Sequence, residues 1–139
     1  MNEYRITDIS AGHQESFSVT VTEDMMAKFR AITGDINPLH VSDEFAKEKG
    51  FPQRVVYGML TASLISTLGG VYLPGKYCLI QGVEVRFAKP VFIGDVLEVT
   101  GEAVKVDRDL RYLEIKVTIR NQRNEKVLRG LLKAGVMDE

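Results

Sequence analysis

The stretch between Arg54 and Lys76 contains no charged side chain, and it constrains the fold more than any other feature. Glycines, hydroxyl side chains and Pro74 interrupt it too often for a membrane span, which needs about 20 mainly apolar residues. Its apolar side chains are spread around a helix rather than confined to one narrow stripe: Met59, Leu60, Leu64, Ile65, Leu68 and Val71. We therefore predict a helix from Gly58 to about Tyr72 that is buried and surrounded by other structure.

The sequence after Gly75 has the pattern of an antiparallel sheet. Apolar and polar side chains alternate from Leu113 to Arg120, as expected for a strand with one solvated face. Turn sequences separate this strand from others predicted over 79–88, 96–106 and 126–136, and residues 16–21 alternate in the same way. Only the uncharged helix is large enough to cover the apolar face. The prediction is an α+β fold in which an antiparallel sheet wraps around a central helix.

Two shorter helices are predicted between the first strand and the uncharged helix. Thr22 can cap the first, which ends at Gly34. Its expected apolar face consists of Met25, Met26, Phe29 and Ile32. Ser42 can cap the second, which ends near Gly50. The segment that joins the two, from Asp35 to His40, is expected to be an irregular loop, because a residue before proline is disfavoured in the α region.

Composition limits the classes of function. With 139 residues, the chain is expected to form a single domain over 1–139. It has 18 Lys plus Arg against 19 Asp plus Glu, so no basic field attracts nucleic acid or an anionic membrane. Cys78, the only cysteine, is expected to be a buried inert thiol, and the N-terminus lacks the apolar core of a signal peptide, so we expect a cytoplasmic protein. No metal site is expected from two histidines and one cysteine.

The segment Gly34-Asp35-Ile36-Asn37-Pro38-Leu39-His40 is the strongest candidate for chemistry. Loops on a rigid scaffold often carry catalytic groups, and histidine has the ordinary pKa nearest physiological pH. An acid and base pair formed by Asp35 and His40 is one hypothesis. The alternative is an Asx-type turn that Asp35 and Asn37 merely close. On these seven residues alone, the structural interpretation is favoured.

Four segments in a fixed order change that balance. They are 34–40, 56–66 (Val-Tyr-Gly-Met-Leu-Thr-Ala-Ser-Leu-Ile-Ser), 73–75 (Leu-Pro-Gly) and 87–95 (Phe-Ala-Lys-Pro-Val-Phe-Ile-Gly-Asp). Together they resemble the MaoC-like (R)-specific enoyl-CoA hydratases, over nearly the whole chain. The resemblance implies a hot-dog fold, a sheet curled around a long helix. It also implies a homodimer, or a higher homo-oligomer, with the acyl-CoA near the subunit interface.

The resemblance also assigns roles to individual residues. The family's catalytic aspartate and histidine fall on Asp35 and His40, and its oxyanion-hole glycine falls on Gly58. The expected reaction is the reversible, (R)-specific hydration of trans-2-enoyl-CoA to (R)-3-hydroxyacyl-CoA. The CoA thioester is the substrate, and no cofactor is expected. Asp35 and His40 are expected to be a buried pair that shares its protons, so that sequence assigns no step to one of them.

Three further residues are expected near the substrate. A serine of the hydratase pattern falls on Ser66, Asn37 shapes the catalytic loop, and Tyr57 stands where many members have histidine. Tyr57 leaves the amide of Gly58 in place, and it is expected to change the polarity of the pocket, the acyl-chain preference or the hydrogen bonding to the loop. Four basic side chains flank the motif segments and are candidates to contact CoA phosphates, with simple solvated charge as the alternative for each: Arg54, Lys76, Arg86 and Lys89.

Other activities remain open on sequence grounds. The chain is also compatible with a 3-hydroxyacyl thioester dehydratase acting on CoA or carrier protein, because an equilibrium reaction gives no physiological direction. A hot-dog protein that binds acyl-CoA without turnover is a further alternative. The retained pair of Asp35 and His40 argues against such a binder, since binding alone requires no acid and base. The spacing of the loop likewise disfavours a thioesterase.

Overall fold

One five-stranded antiparallel sheet forms the body of the protein, whose structure is a computed structural model that describes residues 1–137. The strands are β1 (Gln14–Thr20), β2 (Cys78–Phe87), β3 (Val96–Asp107), β4 (Tyr112–Arg120) and β5 (Lys126–Val136). Their order across the sheet is β1-β3-β4-β5-β2, and every neighbouring pair is antiparallel. The predicted strands are confirmed, with small shifts at their ends.

The alternation read from the sequence determines which face of the sheet is buried. In β4, Leu113, Ile115, Val117 and Ile119 are fully buried, whereas Lys116 is exposed. Because β4 lies between β3 and β5, its apolar face is at the centre of the core. A strand in this position can bury alternate side chains without exposing an edge.

Within residues 1–137, four α-helices, one short 3₁₀ helix (Ile6–Asp8) and one π-helical turn connect to this sheet. The α-helices are α1 (Glu23–Thr33), α2 (Pro38–Val41), α3 (Asp43–Glu48) and α4 (Gly58–Thr67), and the π-helical turn Leu68–Tyr72 continues α4. The predicted caps are confirmed. The Thr22 hydroxyl accepts a hydrogen bond from the Met25 amide, Gly34 ends α1 with a φ of 70°, and the Ser42 hydroxyl accepts from the Phe45 amide.

The predicted apolar face of α1 is wrong at one position. Met26 is buried, but Ile32 is 83% exposed. Ile32 lies in the last turn of α1, beyond the part of the helix that packs against the core. A periodic apolar residue near a helix end therefore does not guarantee a neighbour to cover it.

The uncharged helix packs against the sheet, as predicted. Thr61, Ile65 and Leu68 are buried on its inner side. An added Cβ at Gly101 on β3 would lie 2.9 Å from the Leu68 side chain, so the helix approaches bare backbone at this point. The α+β fold with a sheet around a central helix is therefore confirmed.

The prediction that this helix is surrounded on all sides is wrong for a single chain. Met59 is 65% exposed, and Ser63 and Ser66 on the same side of α4 are also exposed. The cause is the position of β2 at the edge of the sheet, because no further strand continues the curl over this side of the helix. The result is an uncovered apolar strip, defined here as Met59, Ile80, Val83 and Phe87.

No helix within residues 1–137 is both long enough and apolar enough to span a membrane.

Candidate active site

His40 is held in a single orientation by the backbone of a neighbouring segment. Its Nδ1 atom lies 2.7 Å from the carbonyl oxygen of Val55. Since a carbonyl can only accept, Nδ1 carries the proton, and the neutral ring then has its lone pair on Nε2. His40 lies in α2, so the prediction of an irregular loop over its position is wrong. Four residues of helix are too short to show a periodic pattern.

Asn37 is responsible for that helical turn. Its side-chain oxygen accepts a hydrogen bond of 3.0 Å from the Leu39 amide, and Pro38 occupies the first helical position. Both residues are favourable there, because an N-cap supplies an acceptor and proline loses no hydrogen bond in the first turn. The side-chain oxygen of Asn37 thus stabilises the backbone, and a contact of Asn37 with substrate stays a prediction.

Asp35 closes the turn that the alternative interpretation described. Its Oδ1 atom accepts a hydrogen bond of 3.0 Å from the Asn37 amide. A carboxylate has two oxygens and several lone pairs, so this bond leaves acceptor capacity for a second partner. Asp35 is exposed, however, and His40 is only half-buried. The expectation of a buried pair is therefore wrong in a single chain, where no other element packs over the segment.

Tyr57 connects the two catalytic candidates to α4. Its ring is 2% exposed and lies between Phe29 and His40, with ring centroids 4.9 Å and 4.4 Å away. Its hydroxyl donates a hydrogen bond of 2.6 Å to the backbone carbonyl of Asp35. Burial, followed by the negative charge of Asp35, raises the pKa of Tyr57 above its usual value, so the phenol remains protonated and able to donate. Tyr57 thus forms the hydrogen bond to the loop that the sequence anticipated as one of its options.

Gly58 is the first residue of α4, so its amide belongs to the first turn, where no intrahelical acceptor is available. The helix dipole adds partial positive charge at this end. An added Cβ at Gly58 would lie 3.1 Å from the Phe87 ring. A residue with a side chain would therefore crowd the space in front of this amide.

Two cavities meet at these residues, and His40, Gly58 and Phe87 line both of them. The first, of about 550 Å³, is also lined by Phe29, Thr33, Asp35, Tyr57 and Met59. The second, of about 310 Å³, is mainly apolar and is also lined by Phe51, Val55, Val56, Thr61, Ala88, Lys89, Pro90, Val91 and Val127. The structure thus brings Asp35, His40, Tyr57 and Gly58 to one place.

The structure does not bring Ser66 to these cavities. Ser66 lies on the exposed side of α4, about 12 Å along the helix axis from Gly58 at 1.5 Å per residue. Phe87, by contrast, was not recognised from the sequence as a site residue. Its signals were its place in an alternating strand and at the start of the motif segment 87–95, and neither shows which strand is at the edge of a sheet.

Within residues 1–137, no three His, Cys, Asp or Glu side chains are grouped in a way that could hold a metal ion. The chemical groups at the site are therefore a carboxylate, an imidazole, a phenol and a helix-terminal amide. This set suits proton transfer next to an oxygen that gains negative charge.

Together, the curled sheet and its central helix define a hot-dog protein, in which Asp35 and His40 lie beside the N-terminus of α4. The sequence pattern of the MaoC like domain matches residues 8–127. The chain therefore belongs to the MaoC-like domain family, as the resemblance predicted.

Named relatives support this membership. The chain is 41% identical to an (R)-specific enoyl-CoA hydratase of Aeromonas caviae over 96 residues, which cover 66% of this chain and 70% of the relative. It is 33% identical to a 3-hydroxybutyryl-CoA dehydratase of Methylorubrum extorquens over 111 residues, 80% of this chain and 71% of the relative. The structure of an R-hydratase from Pseudomonas aeruginosa superposes with a TM-score of 0.90 at 27% identity, covering 97% of this chain and 86% of that one. The predicted hot-dog fold and membership in a hydratase and dehydratase family are thereby confirmed.

Proposed function

We propose that this protein catalyses the reversible, (R)-specific hydration of trans-2-enoyl-CoA to (R)-3-hydroxyacyl-CoA. The observation that carries the proposal is the cavity of about 550 Å³ lined jointly by Asp35, His40 and Gly58. A carboxylate, an imidazole and a helix-terminal amide on one cavity provide all three functions that addition of water to an enoyl thioester needs. The reaction therefore requires no cofactor. The relatives named as hydratase and dehydratase act on the same class of thioester.

The pair of Asp35 and His40 handles the water. His40 Nε2, left unprotonated by the bond from Nδ1 to the Val55 carbonyl, takes a proton as the water oxygen attacks C3. His40 passes this proton to the other member of the pair, Asp35, which assists the water and delivers the proton to C2. The water thus supplies both the hydroxyl on C3 and the hydrogen on C2, and no net proton is lost. The proposal treats Asp35 and His40 as a pair that shares its protons.

Gly58 stabilises the charge that develops during this step. As water adds, the thioester oxygen becomes enolate-like, and a first-turn amide is a donor with no competing acceptor in its helix. The absence of a side chain allows the thioester to approach this amide beside Phe87. The same arrangement stabilises the identical intermediate in the reverse direction, in which a 3-hydroxyacyl thioester loses water.

The second candidate is that physiological reverse reaction, dehydration of a 3-hydroxyacyl thioester on CoA or carrier protein. The relative from Methylorubrum extorquens, named as a dehydratase, favours it. A protein that binds acyl-CoA without turnover is not favoured, because it has no use for a histidine that lines a cavity with one ring nitrogen fixed by a backbone carbonyl.

The test follows the loss of enoyl absorbance with crotonyl-CoA, together with the configuration of the 3-hydroxy product. Asp35→Asn retains a side-chain oxygen to accept from the Asn37 amide, so it removes the chemistry and preserves the turn. We expect Asp35→Asn and His40→Gln each to lower the rate by at least about 100-fold, the order of general acid–base catalysis, with the fold unchanged. His13→Gln, at the other histidine, is the matched control. Rates near wild type in both site variants, or release of free thiol, would contradict the proposal.

We also propose that the working unit is a homodimer. The uncovered apolar strip combines an unpaired sheet edge with exposed apolar side chains next to the site. A second copy of the chain would pair with the edge and remove this surface from water.

A further inference from the structure

Two arginines lie directly opposite each other on neighbouring strands. Arg86 on β2 pairs in register with Arg129 on β5, and both side chains are exposed. They lie on the outer face of the sheet, because Val85 and Phe87 on either side of Arg86 point towards α4. Side chains directly opposite in an antiparallel pair have their Cβ atoms about 5 Å apart, so both guanidinium groups can reach one small ligand.

No carboxylate neutralises this arginine pair. The other three basic candidates from the sequence have acidic partners: Arg54 is paired with Glu23 and Asp43, Lys76 with Glu3, and Lys89 with Glu125. Glu84, on the same face as Arg86, is paired with Lys133 at 3.2 Å. Among the residues that the structure describes, neither Arg86 nor Arg129 forms an ion pair.

Like charges placed directly opposite each other destabilise a sheet unless an anion lies between them. The planar guanidinium group has parallel N–H donors that match phosphate oxygens, and two such groups match one phosphate better than a lysine does. An open cavity of about 700 Å³ is lined by both arginines together with Glu84, Val85, Gly130 and Leu131. The arginine pair thus has the charge, the geometry and the space for a phosphate group.

The arginine pair is also within reach of the candidate active site. Phe87, which lines both cavities there, follows Arg86 directly and is the last residue of β2. A ligand can therefore pass from the inner to the outer face of the sheet around the end of β2. A pantetheine arm is comparable to about four extended residues, roughly 14 Å, which suits such a path.

We propose that Arg86 and Arg129 bind a phosphate at the carrier end of the thioester substrate. This inference rests on the proposed function, since it names the part of the substrate that lies outside the reacting centre. A phosphate at this position comes from either of two sources, the nucleotide of CoA or the phosphopantetheine attached to a carrier protein. The arginine pair binds substrate and takes no part in the chemical step.

The experiment compares three thioesters with the same acyl group: crotonyl-CoA, crotonyl-phosphopantetheine and crotonyl-pantetheine, of which the last has no phosphate. The variants are Arg86→Gln, Arg129→Gln and the double variant. Arg108→Gln, at an exposed arginine in the turn between β3 and β4, is the control with the same change of net charge.

With crotonyl-CoA we expect the KM to rise about 10-fold in each single variant and further in the double variant, as for loss of hydrogen bonds to a charged group. The kcat should stay within about twofold, because the lost contact is equal in ground and transition states. Crotonyl-pantetheine should show the same KM in wild type and all variants. Raising the salt concentration should raise the wild-type KM for crotonyl-CoA more than that of the double variant.

The phosphopantetheine thioester distinguishes the two sources. A rise in its KM equal to that of crotonyl-CoA assigns the site to the phosphate shared with carrier proteins, and an unchanged KM assigns it to the CoA nucleotide. The inference is overturned if the variants affect crotonyl-pantetheine equally, if they affect no substrate, or if they alter only the oligomeric mass in light scattering.

Failure of the proposed function would be visible separately. If wild-type protein hydrates none of the three thioesters, the hydratase proposal fails, and calorimetric titration with CoA itself still tests the arginine pair. A Kd for CoA about 10-fold weaker in the single variants supports the phosphate site, and an unchanged Kd refutes it.

Discussion

The structure of Asp35 is compatible with both interpretations that the sequence presents as alternatives, a turn-closing residue and a member of a catalytic pair. One oxygen closes an Asx turn by accepting from the Asn37 amide, and Asp35 also lines the cavity of about 550 Å³ together with His40. Both interpretations could be drawn from the sequence, but the sequence did not show that they are compatible. Seven residues do not reveal which oxygen of Asp35 accepts the backbone hydrogen bond. The fixed orientation of His40 was also not predictable, since its partner is the backbone carbonyl of Val55, and backbone atoms leave no trace in a side-chain pattern.

Tyr57→Phe tests how strongly the Asp35 backbone must be held. The change removes the hydroxyl that donates to the Asp35 carbonyl at 2.6 Å and keeps the ring between Phe29 and His40. We expect the free energy of unfolding to fall by about 1 kcal/mol, as for one lost hydrogen bond. The kcat with crotonyl-CoA should fall about 10-fold, since misplaced catalytic groups slow the chemical step.

Denaturant unfolding and initial rates measure the two effects of Tyr57→Phe. Tyr112→Phe is the control, because its hydroxyl hydrogen-bonds Glu114 on β4 instead of the catalytic segment. Loss of stability without any loss of kcat would show that Tyr57 supports only the fold.

Gly58→Ala tests the space in front of the α4 amide. The new methyl group would lie 3.1 Å from the ring of Phe87, which is 53% exposed and therefore able to move. We expect a folded protein whose kcat/KM is at least about 10-fold lower, about 1.4 kcal/mol of transition-state stabilisation. Gly70→Ala, where an added Cβ meets nothing within 4 Å, should keep normal activity in the same assay. Equal activity of the two variants would contradict the assignment.

At the scale of elements, prediction succeeded where a pattern had enough residues to repeat. Strands β3, β4 and β5 and the start of α4 at Gly58 follow directly from alternation and from the glycine that begins the helix. The helix α2 was missed because four residues show no period, although its cap and proline were visible as Asn37-Pro38. The exposure of Ile32 and Met59 was missed for another reason. The pattern of apolar residues along a helix does not show how far the sheet that covers the helix extends.

The turn between β4 and β5 provides a pH-dependent prediction. Hydrogen bonds from Lys89, then Arg123 and Asn121, lower the pKa of Glu125 from 4.5 to about 2. A carboxylate with a depressed folded-state pKa stabilises the fold above its unfolded value, and the stabilisation is lost as the pH falls towards the folded value. Glu125→Gln should therefore lower the melting temperature at pH 7. The difference from wild type should shrink between pH 4.5 and pH 2, as thermal unfolding followed by circular dichroism at pH 7, 4 and 3 would show. A constant difference over this range would argue against the ion cluster.

At the scale of the whole molecule, one side of the apolar core remains exposed to solvent in a single chain. The uncovered apolar strip contains an edge strand and a helix face that no other part of residues 1–137 covers. Sequence analysis anticipated a dimer from the family resemblance, while the assumption that α4 is enclosed came from one chain considered alone. The expected dimer and the expected enclosure of α4 agree with each other if a second copy of the chain covers this surface.

Val83→Lys tests this assembly. Val83 lies on the edge strand β2, points to the apolar side and is 46% exposed, so a lysine fits in a monomer but would be buried beside a second copy. We expect wild type to show the mass of a dimer in light scattering at micromolar concentration, and Val83→Lys to show that of a monomer. Val104→Lys, at a valine that is 45% exposed on β3 and is separated from β2 by β4 and β5, should remain a dimer. A monomeric wild type, or a dimeric Val83→Lys, would contradict the proposal.

Phe87 belongs at once to the uncovered apolar strip and to the wall of both cavities. If a second copy covers the strip, each catalytic centre is completed only while the two copies remain together. Specific activity would then depend on enzyme concentration, falling on dilution below the dissociation constant of the dimer. The rate of this reaction in a cell would then rise more steeply than in proportion to the amount of protein that the cell makes.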